Sequence, residues 1–296
     1  NEMIRMPVNG QKCVIDWISV TMQAMTFDDY TTTSQPFERL RQSALIANVD
    51  KVLQDIFGFG IDSENKSGRN FYERSWQLQH DAGYVCLGGQ NDTIMICING
   101  TGCTYGKQGW EEHYHAWLNL FAVDGKITRI DLAYDDLTGS TVDIDFFDEQ
   151  DDKGGFTGKG RRPNIEKRGN WKRPSGKGRT LYIGSRQSSK FCRIYEKGKQ
   201  LGDPNSMWLR VEVEYKARDI FIDYDVLLNP SERFLASYPC FIVFSSQDTA
   251  IKFERIDKQN LITFHQAVDL VRSQFGRYLY FFRRVFDDDK QLLDEL

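Results

Sequence analysis

A tyrosine set between two cations on an alternating stretch is the most chemically suggestive feature of this 296-residue chain. In RTLYIGSRQSSKFCRIYEKGKQ, residues 179–200, Thr180–Gly184 reads as a strand, Ser185, Gln187, Ser188 and Ser189 as a turn, and Phe191–Lys197 as a second strand. Period-two alternation puts Phe191, Arg193, Tyr195 and Lys197 on one face, and Cys192, Ile194 and Glu196 on the other. Ionising a free phenol at neutral pH costs roughly 4 kcal/mol. Arg193 and Lys197 would lower that cost and hold phosphate oxygens as well, which makes Tyr195 a candidate nucleophile toward a phosphodiester. The same spacing also describes a cross-strand aromatic on a solvated face.

Carboxylates with matching parity occur on two further strand-like stretches. On KITRIDLAYD, Arg129, Asp131, Ala133 and Asp135 share a face; on MWLRVEVEYK the shared face carries Arg210, Glu212 and Glu214. If these stretches are sheet neighbours, Asp131, Glu212 and Glu214 converge as a hard-oxygen site for Mg²⁺ or Mn²⁺, an ion that would polarise a phosphodiester. The alternative is plain charge pairing with Arg129 and Arg210 across the strands. His113 and His115 are weaker metal candidates. They fall in an expected helix, 107–121, where residues two apart diverge by roughly 200°. Gly100-Thr101-Gly102 lacks the third glycine and the Lys-Ser/Thr of a phosphate loop.

Charge is strongly segregated behind a net value of only -4. Between Gly158 and Lys199 fourteen cations face only Glu166 and Glu196, a local net of +12, with Phe156, Trp171 and Tyr182 interleaved. Such a segment suits a phosphate backbone. The acidic run just upstream, 135–152, could equally neutralise it as a solvated linker. Hydrophobic content of 40% and 27% charged residues are those of a soluble globular protein, and no apolar run approaches the ~18 residues of a membrane span. The six cysteines show no CxxC pair and read as buried thiols of a reduced, cytoplasmic compartment. No signal-peptide pattern opens the chain at Asn1, so a natural start further upstream is expected.

Strands are expected at 13–22, 71–79, 83–87, 93–98, 126–135, 180–184, 190–197 and 207–216, with helices over 35–57 and 107–121 and an acidic helix-like run within 135–152. Arg129-Ile130-Asp131-Leu132 is echoed by Arg210-Val211-Glu212-Val213, each with a tyrosine following at the same offset. The echo suggests an α+β fold of two pseudo-repeated halves of mostly antiparallel sheet with packed helices, plus a helical C-terminal part whose clearest helix covers 264–282. The expected divisions are 1–140, 141–218 with the tyrosine, and 219–296.

LYIGSRQSSKFCRIYEKGKQ, together with IDWISVT, TRIDLAYDD and WLRVEVEYK in that order, resembles the Rep_trans family of rolling-circle replication initiators. Members occur in small Gram-positive plasmids and, as replication initiation factors, in filamentous phages and integrated elements. The resemblance covers roughly residues 14–216 and implies an HUH-nuclease-like fold. It also implies a metal-dependent, site-specific DNA endonuclease and strand transferase that nicks an origin, leaving a 3′-OH and a 5′-phosphotyrosine. The family's RIY tyrosine falls on Tyr195, and its acidic residues on Asp131 and Glu212, with Mg²⁺ or Mn²⁺ as cofactor; strand alternation adds Glu214. Arg129, Arg186, Lys190, Arg193, Lys197 and Arg210 become the candidate DNA contacts. Origin DNA, single-stranded or hairpin, a host helicase and a second copy of the chain are the implied partners. A conjugative relaxase and a non-catalytic DNA-binding regulator are the alternatives. Gly198, directly after YEK, departs from the plasmid members and puts the local backbone in question.

Overall fold

In the computed structural model, which describes residues 4–28, 38–245, 250, 252 and 253, ten strands form a single antiparallel sheet. The strands are β1 (Val14–Gln23), β2 (Ile61–Glu64), β3 (Arg74–Leu78), β4 (Gly83–Leu87), β5 (Thr93–Ile98), β6 (Lys126–Asp136), β7 (Ile165–Arg168), β8 (Thr180–Gly184), β9 (Lys190–Tyr195) and β10 (Leu209–Lys216). Their spatial order is β2-β3-β4-β5-β1-β6-β10-β9-β8-β7. Read outward from the centre, β1-β5-β4-β3-β2 and β6-β10-β9-β8-β7 follow the same rule, so the two halves expected from the sequence are present as repeated topology.

The motif echo, however, does not link equivalent strands of the two halves. It lies on β6 and β10, which are direct neighbours within the second half, paired antiparallel with Asp131 opposite Glu214 and Ala133 opposite Glu212. By strand order the counterpart of β6 is β1 and that of β10 is β5. The matching sequences reflect a shared environment at the sheet centre.

One face of the sheet is apolar because each central strand places aliphatic side chains there at every second residue: Ile18, Val20 and Met22; Ile130 and Leu132; Val211 and Val213; Cys192 and Ile194; Leu181 and Ile183, all buried. Helices cover this face. In the first half they are α1 (Glu38–Phe57), which buries Leu45, Val49, Leu53 and Ile56 at helical spacing, α2 (Gly100–Tyr105) and α3 (Trp110–Phe121). Phe57 packs against Phe59, Trp110 and Tyr114. In the second half α4 (Ile144–Asp152) brings Phe147 and α6 (Pro230–Leu235) brings Phe234 into a cluster with Phe156, Phe241 and Phe244, and the short turn α5 (Lys197–Gln200) follows β9.

The outer strands β2 and β7, IDSE and IEKR, are short and charged, as edge strands that avoid further pairing should be. Neither was expected from the sequence, because neither carries the apolar alternation that marks a half-buried strand. The chain divides into two compact units, Asn1–Glu254 and Arg255–Leu296; the second, with the helix expected over 264–282, lies outside the described residues.

Gly198 has a clear structural reason. It sits at the start of α5 under Trp208 and Ser206, and a Cβ there would lie 1.9 Å from Ser206 Oγ and 2.4 Å from Ser206 Cβ. Its N–H donates to Trp208 O at 3.3 Å and its carbonyl accepts from Asp203 N at 3.1 Å, so the backbone cannot retreat freely. We expect Gly198→Ala to destabilise the fold by about 1–3 kcal/mol. Thermal melting should show the loss, and a second change, Ser206→Gly, should restore most of it.

Candidate active site

The face of the sheet opposite the helices is polar at its centre, and strand register explains why. Tyr195 pairs with Arg210 on one side and Thr180 on the other; Arg193 pairs with Glu212, and Glu214 with Asp131. Asp131, Glu212 and Glu214 are only 1%, 5% and 6% exposed. Carboxylates this deeply buried need partners. Arg129 donates through Nε and Nη2 to the two oxygens of Asp131 at 2.8 and 2.6 Å, and its Nη2 also lies 2.8 Å from Glu214 Oε2. Lys216 Nζ is 2.6 Å from Glu214 Oε1. Arg193 donates to Glu212 Oε1 and stands 3.6 Å from Asp131 Oδ2. Its Nε is buried with no hydrogen-bond partner.

Tyr195 closes this ladder, its Oη donating to Glu212 Oε2 at 3.3 Å. The phenol is held protonated: burial raises its pKa first, the Glu212 charge raises it further, and the nearby Arg210 and Arg193 offset this only in part. The sequence reading, in which neighbouring cations ease ionisation, is therefore corrected, since desolvation outweighs them. Beside the phenol, Arg210 is fixed by two bonds of 2.8 Å to Asp135, and Trp208 Nε1 donates to the same carboxylate at 2.6 Å.

Asp16 also belongs to the site, its Oδ1 3.3 Å from Arg210 Nη1, and the sequence reading missed it. Counting by twos along β1 puts Asp16 with Ile18 and Val20 in the core. A register shift between Ile15 and Trp17 interrupts the alternation and admits it to the polar face. Burial pushes the Asp16 carboxyl up to about 6, Arg210 partly countering and Glu212 and Asp135 adding to the rise.

Not all expected contacts gather here. Lys190 lies on the opposite face with Cys192 and Ile194, its ammonium on Ser237 O and 4.0 Å above the Tyr238 ring; burial lowers its pKa to about 8. The structure therefore withdraws it from the face that carries Tyr195, as the parity of the strand requires. Lys197 begins α5, because β9 ends at Tyr195, yet from there its charge still reaches Asp16 and lowers that carboxyl's pKa. Arg186 is on the exposed β8–β9 turn. His115 donates to or accepts from Asp225 at 3.0 Å on α3, well removed from the sheet's polar centre in the fold. The basic segment is partly neutralised by α4: Arg179 meets Asp145, Lys167 meets Asp148 and Arg162 meets Asp151. Lys159, Arg161, Lys172, Arg173 and Lys177 remain exposed without ion pairs.

Carboxylate oxygens are the donors that a hard divalent cation takes. Among the described residues no three His, Cys, Asp or Glu side chains are grouped as a metal-holding set, since guanidinium groups stand between the carboxylates. Burial pushes Asp131 up to about 7 despite its bonds to Arg129, and Glu212 and Glu214 add to the rise. In donor chemistry the carboxylates suit a divalent cation, while Arg129, Arg193 and Lys216 already balance their charge.

Residues 125–296, from β6 onward, match the family described as Replication initiation factor, and the chain belongs to that family. Over 255 residues it is 24% identical to the "Putative DNA relaxase NicK" of Bacillus subtilis (strain 168), spanning 80% of this chain and 68% of that protein. The fold is similar to that of the Rolling Circle Replication Initiator Protein from Geobacillus stearothermophilus, with a TM-score of 0.50 and 22% identity over 70% of this chain and 75% of the other.

A carboxyl whose pKa is higher in the folded chain than in the unfolded one adds stability while protonated, and that stability is lost as pH rises through the folded value. For Asp131 the window runs from its ordinary 3.8 to about 7. Asp131→Asn removes the titration, so the melting temperature of the variant relative to wild type should climb between roughly pH 4 and pH 7 and level off above it, each kcal/mol being worth about 2–4 °C at this chain size. A flat difference across that window would contradict the buried Asp131.

Proposed function

We propose that the protein nicks one DNA strand at an origin and later rejoins it, using Tyr195 as the nucleophile, to start rolling-circle replication of a phage or plasmid. The observation that carries this reading is the Tyr195 Oη to Glu212 Oε2 hydrogen bond, at the edge of a buried arginine–carboxylate ladder, in a chain of the replication initiation factor family.

In this reading Glu212 Oε2 accepts the phenol proton as Oη attacks the phosphorus. The new P–O bond to tyrosine forms as the bond to the 3′ oxygen breaks, which leaves a 5′-phosphotyrosine and a 3′ oxygen that takes up a proton. The energy of the phosphodiester is kept in the tyrosyl ester, so a 3′-OH can reverse the step and close a circle. Arg210, fixed by Asp135, and Arg193, whose Nε has no partner, are suited to the non-bridging phosphate oxygens. Asp131, Glu212 through Oε1, and Glu214 would hold Mg²⁺ or Mn²⁺, which supplies neutralising charge to the phosphate when bound. A tyrosine this buried reaches a phosphate best in a flexible single strand, and the unpaired cations of 159–177 would carry the flanking backbone.

The relaxase reading shares this chemistry and is favoured by the name of the Bacillus relative, so neighbouring genes decide between a replication and a transfer origin. A host helicase and a second copy of the chain are the partners that either reading brings, and the cytoplasm is where both would act. Among the described residues no helix is long and apolar enough to cross a membrane.

The test is covalent capture. With Mn²⁺ and single-stranded oligonucleotides tiling the DNA beside its gene, the wild-type chain should form an adduct that survives denaturing electrophoresis. Tyr195→Phe should form none, and Glu212→Gln should slow adduct formation by about 10²–10⁴-fold, the usual worth of a general base. An undiminished adduct with Tyr195→Phe would sink the assignment.

A further inference from the structure

We propose that Tyr182 and Arg186, backed by the buried ring of Phe191, form a base-stacking subsite for the nucleobase next to the phosphate attacked by Tyr195; this rests on the nicking reading above. Tyr182 on β8 pairs with Arg193, while Thr180 pairs with Tyr195, so Tyr182 shares the face of the candidate nucleophile. It lies two residues further along the neighbouring strand, ~7 Å along and one spacing of ~4.8 Å across. One nucleotide can place its phosphate at the phenol and its base over this ring.

The two rings and the guanidinium form one tilted cluster. The Tyr182 and Phe191 rings are 5.6 Å apart with 37° between their planes. The Arg186 guanidinium lies 5.6 Å from the first ring centroid and 5.3 Å from the second. Gly184 is the β8 residue opposite Phe191, and the Phe191 ring is buried, so it backs Tyr182 and Arg186 and leaves the half-buried Tyr182 ring as the surface for a base. The turn is also held in place: Lys216 Nζ donates to Arg186 O at 2.6 Å, and Ser188 N donates to Ser185 O at 2.9 Å.

Charge separates Arg186 from the other arginines of this face. Arg129, Arg193 and Arg210 are each committed to buried carboxylates. Arg186 is exposed and meets no carboxylate among the described residues, so its charge is spent only on aromatic faces. An unneutralised guanidinium close to the half-buried Tyr182 ring, next to a site for an anionic backbone, offers a base both a π-face and a cation.

The experiment uses the full chain carrying Tyr195→Phe, so that no turnover occurs, with a fluorescein-labelled oligothymidylate and an abasic strand of the same length at one fixed salt concentration. Adding Tyr182→Leu should weaken oligothymidylate binding about five- to hundredfold, one base's worth of stacking, and leave the abasic strand within about twofold. Tyr182→Phe should keep full affinity, because the ring and not the hydroxyl is used. Arg186→Ala, on the exposed turn, should cost the oligothymidylate more than the abasic strand. Equal losses on both strands, no loss on either, or no binding of oligothymidylate at all would overturn the subsite. Nicking is read separately by the tyrosine adduct: a missing adduct with intact base discrimination sinks the nicking reading alone, and an adduct without base discrimination sinks this one.

Discussion

Three carboxylates buried at the centre of a sheet face impose the main constraint on this molecule. Asp131, Glu212 and Glu214 stand on neighbouring strands in a register that brings like charges together, and each is nearly sealed from water. Their mutual repulsion and lost hydration are offset only because Arg129, Arg193 and Lys216 come from the same or adjacent strands. Leaving one such charge without its partner would cost about 3–5 kcal/mol. The sheet therefore has to keep β6, β10 and β9 adjacent and in register, and the apolar helix face supplies the burial that holds them so.

That ladder sets the state of Tyr195. A phenol surrounded by water would be easily reached and weakly nucleophilic; this one is buried, protonated and aimed at a carboxylate. The same burial that raises the phenol's pKa keeps its proton on Oη, where it is donated to Glu212. Charge on the molecule's surface shows the same economy. The basic run of 158–199 would be a strong field by itself, yet α4 neutralises Arg162, Lys167 and Arg179 and Glu166 pairs with Arg168, which leaves five exposed cations between 159 and 177 without an ion pair among the described residues.

Much of this was legible in the order of residues. The central strands alternate because one face must be apolar, so β1, β4, β5, β6, β8, β9 and β10 could be read closely, and α1 and α3 declared themselves through helical spacing of buried side chains. The carboxylates and Tyr195 shared parity with their arginines and proved to share a face. Where alternation fails, reading failed too. The charged edge strands β2 and β7 carry no pattern, and a single extra residue in β1 turned Asp16 away from where counting put it. Lys190 was grouped with Tyr195 although it points to the other face, whereas Lys197, placed beside Tyr195 by alternation, lies beyond the strand end but still acts on Asp16.

Local patterning thus decided which residues could be strands, which face each side chain takes, and that a tyrosine, carboxylates and arginines would be available together. Strand order and register are non-local, because they depend on which pairings bury most apolar surface over the whole sheet. Only the folded chain could place β10 between β6 and β9, and so set Glu212 both against the phenol and beside Arg193. Desolvation is likewise a property of packing. The same residues in an exposed strand would leave the phenol near its ordinary value and Asp131 near 3.8; buried together, the first is raised and the second reaches about 7.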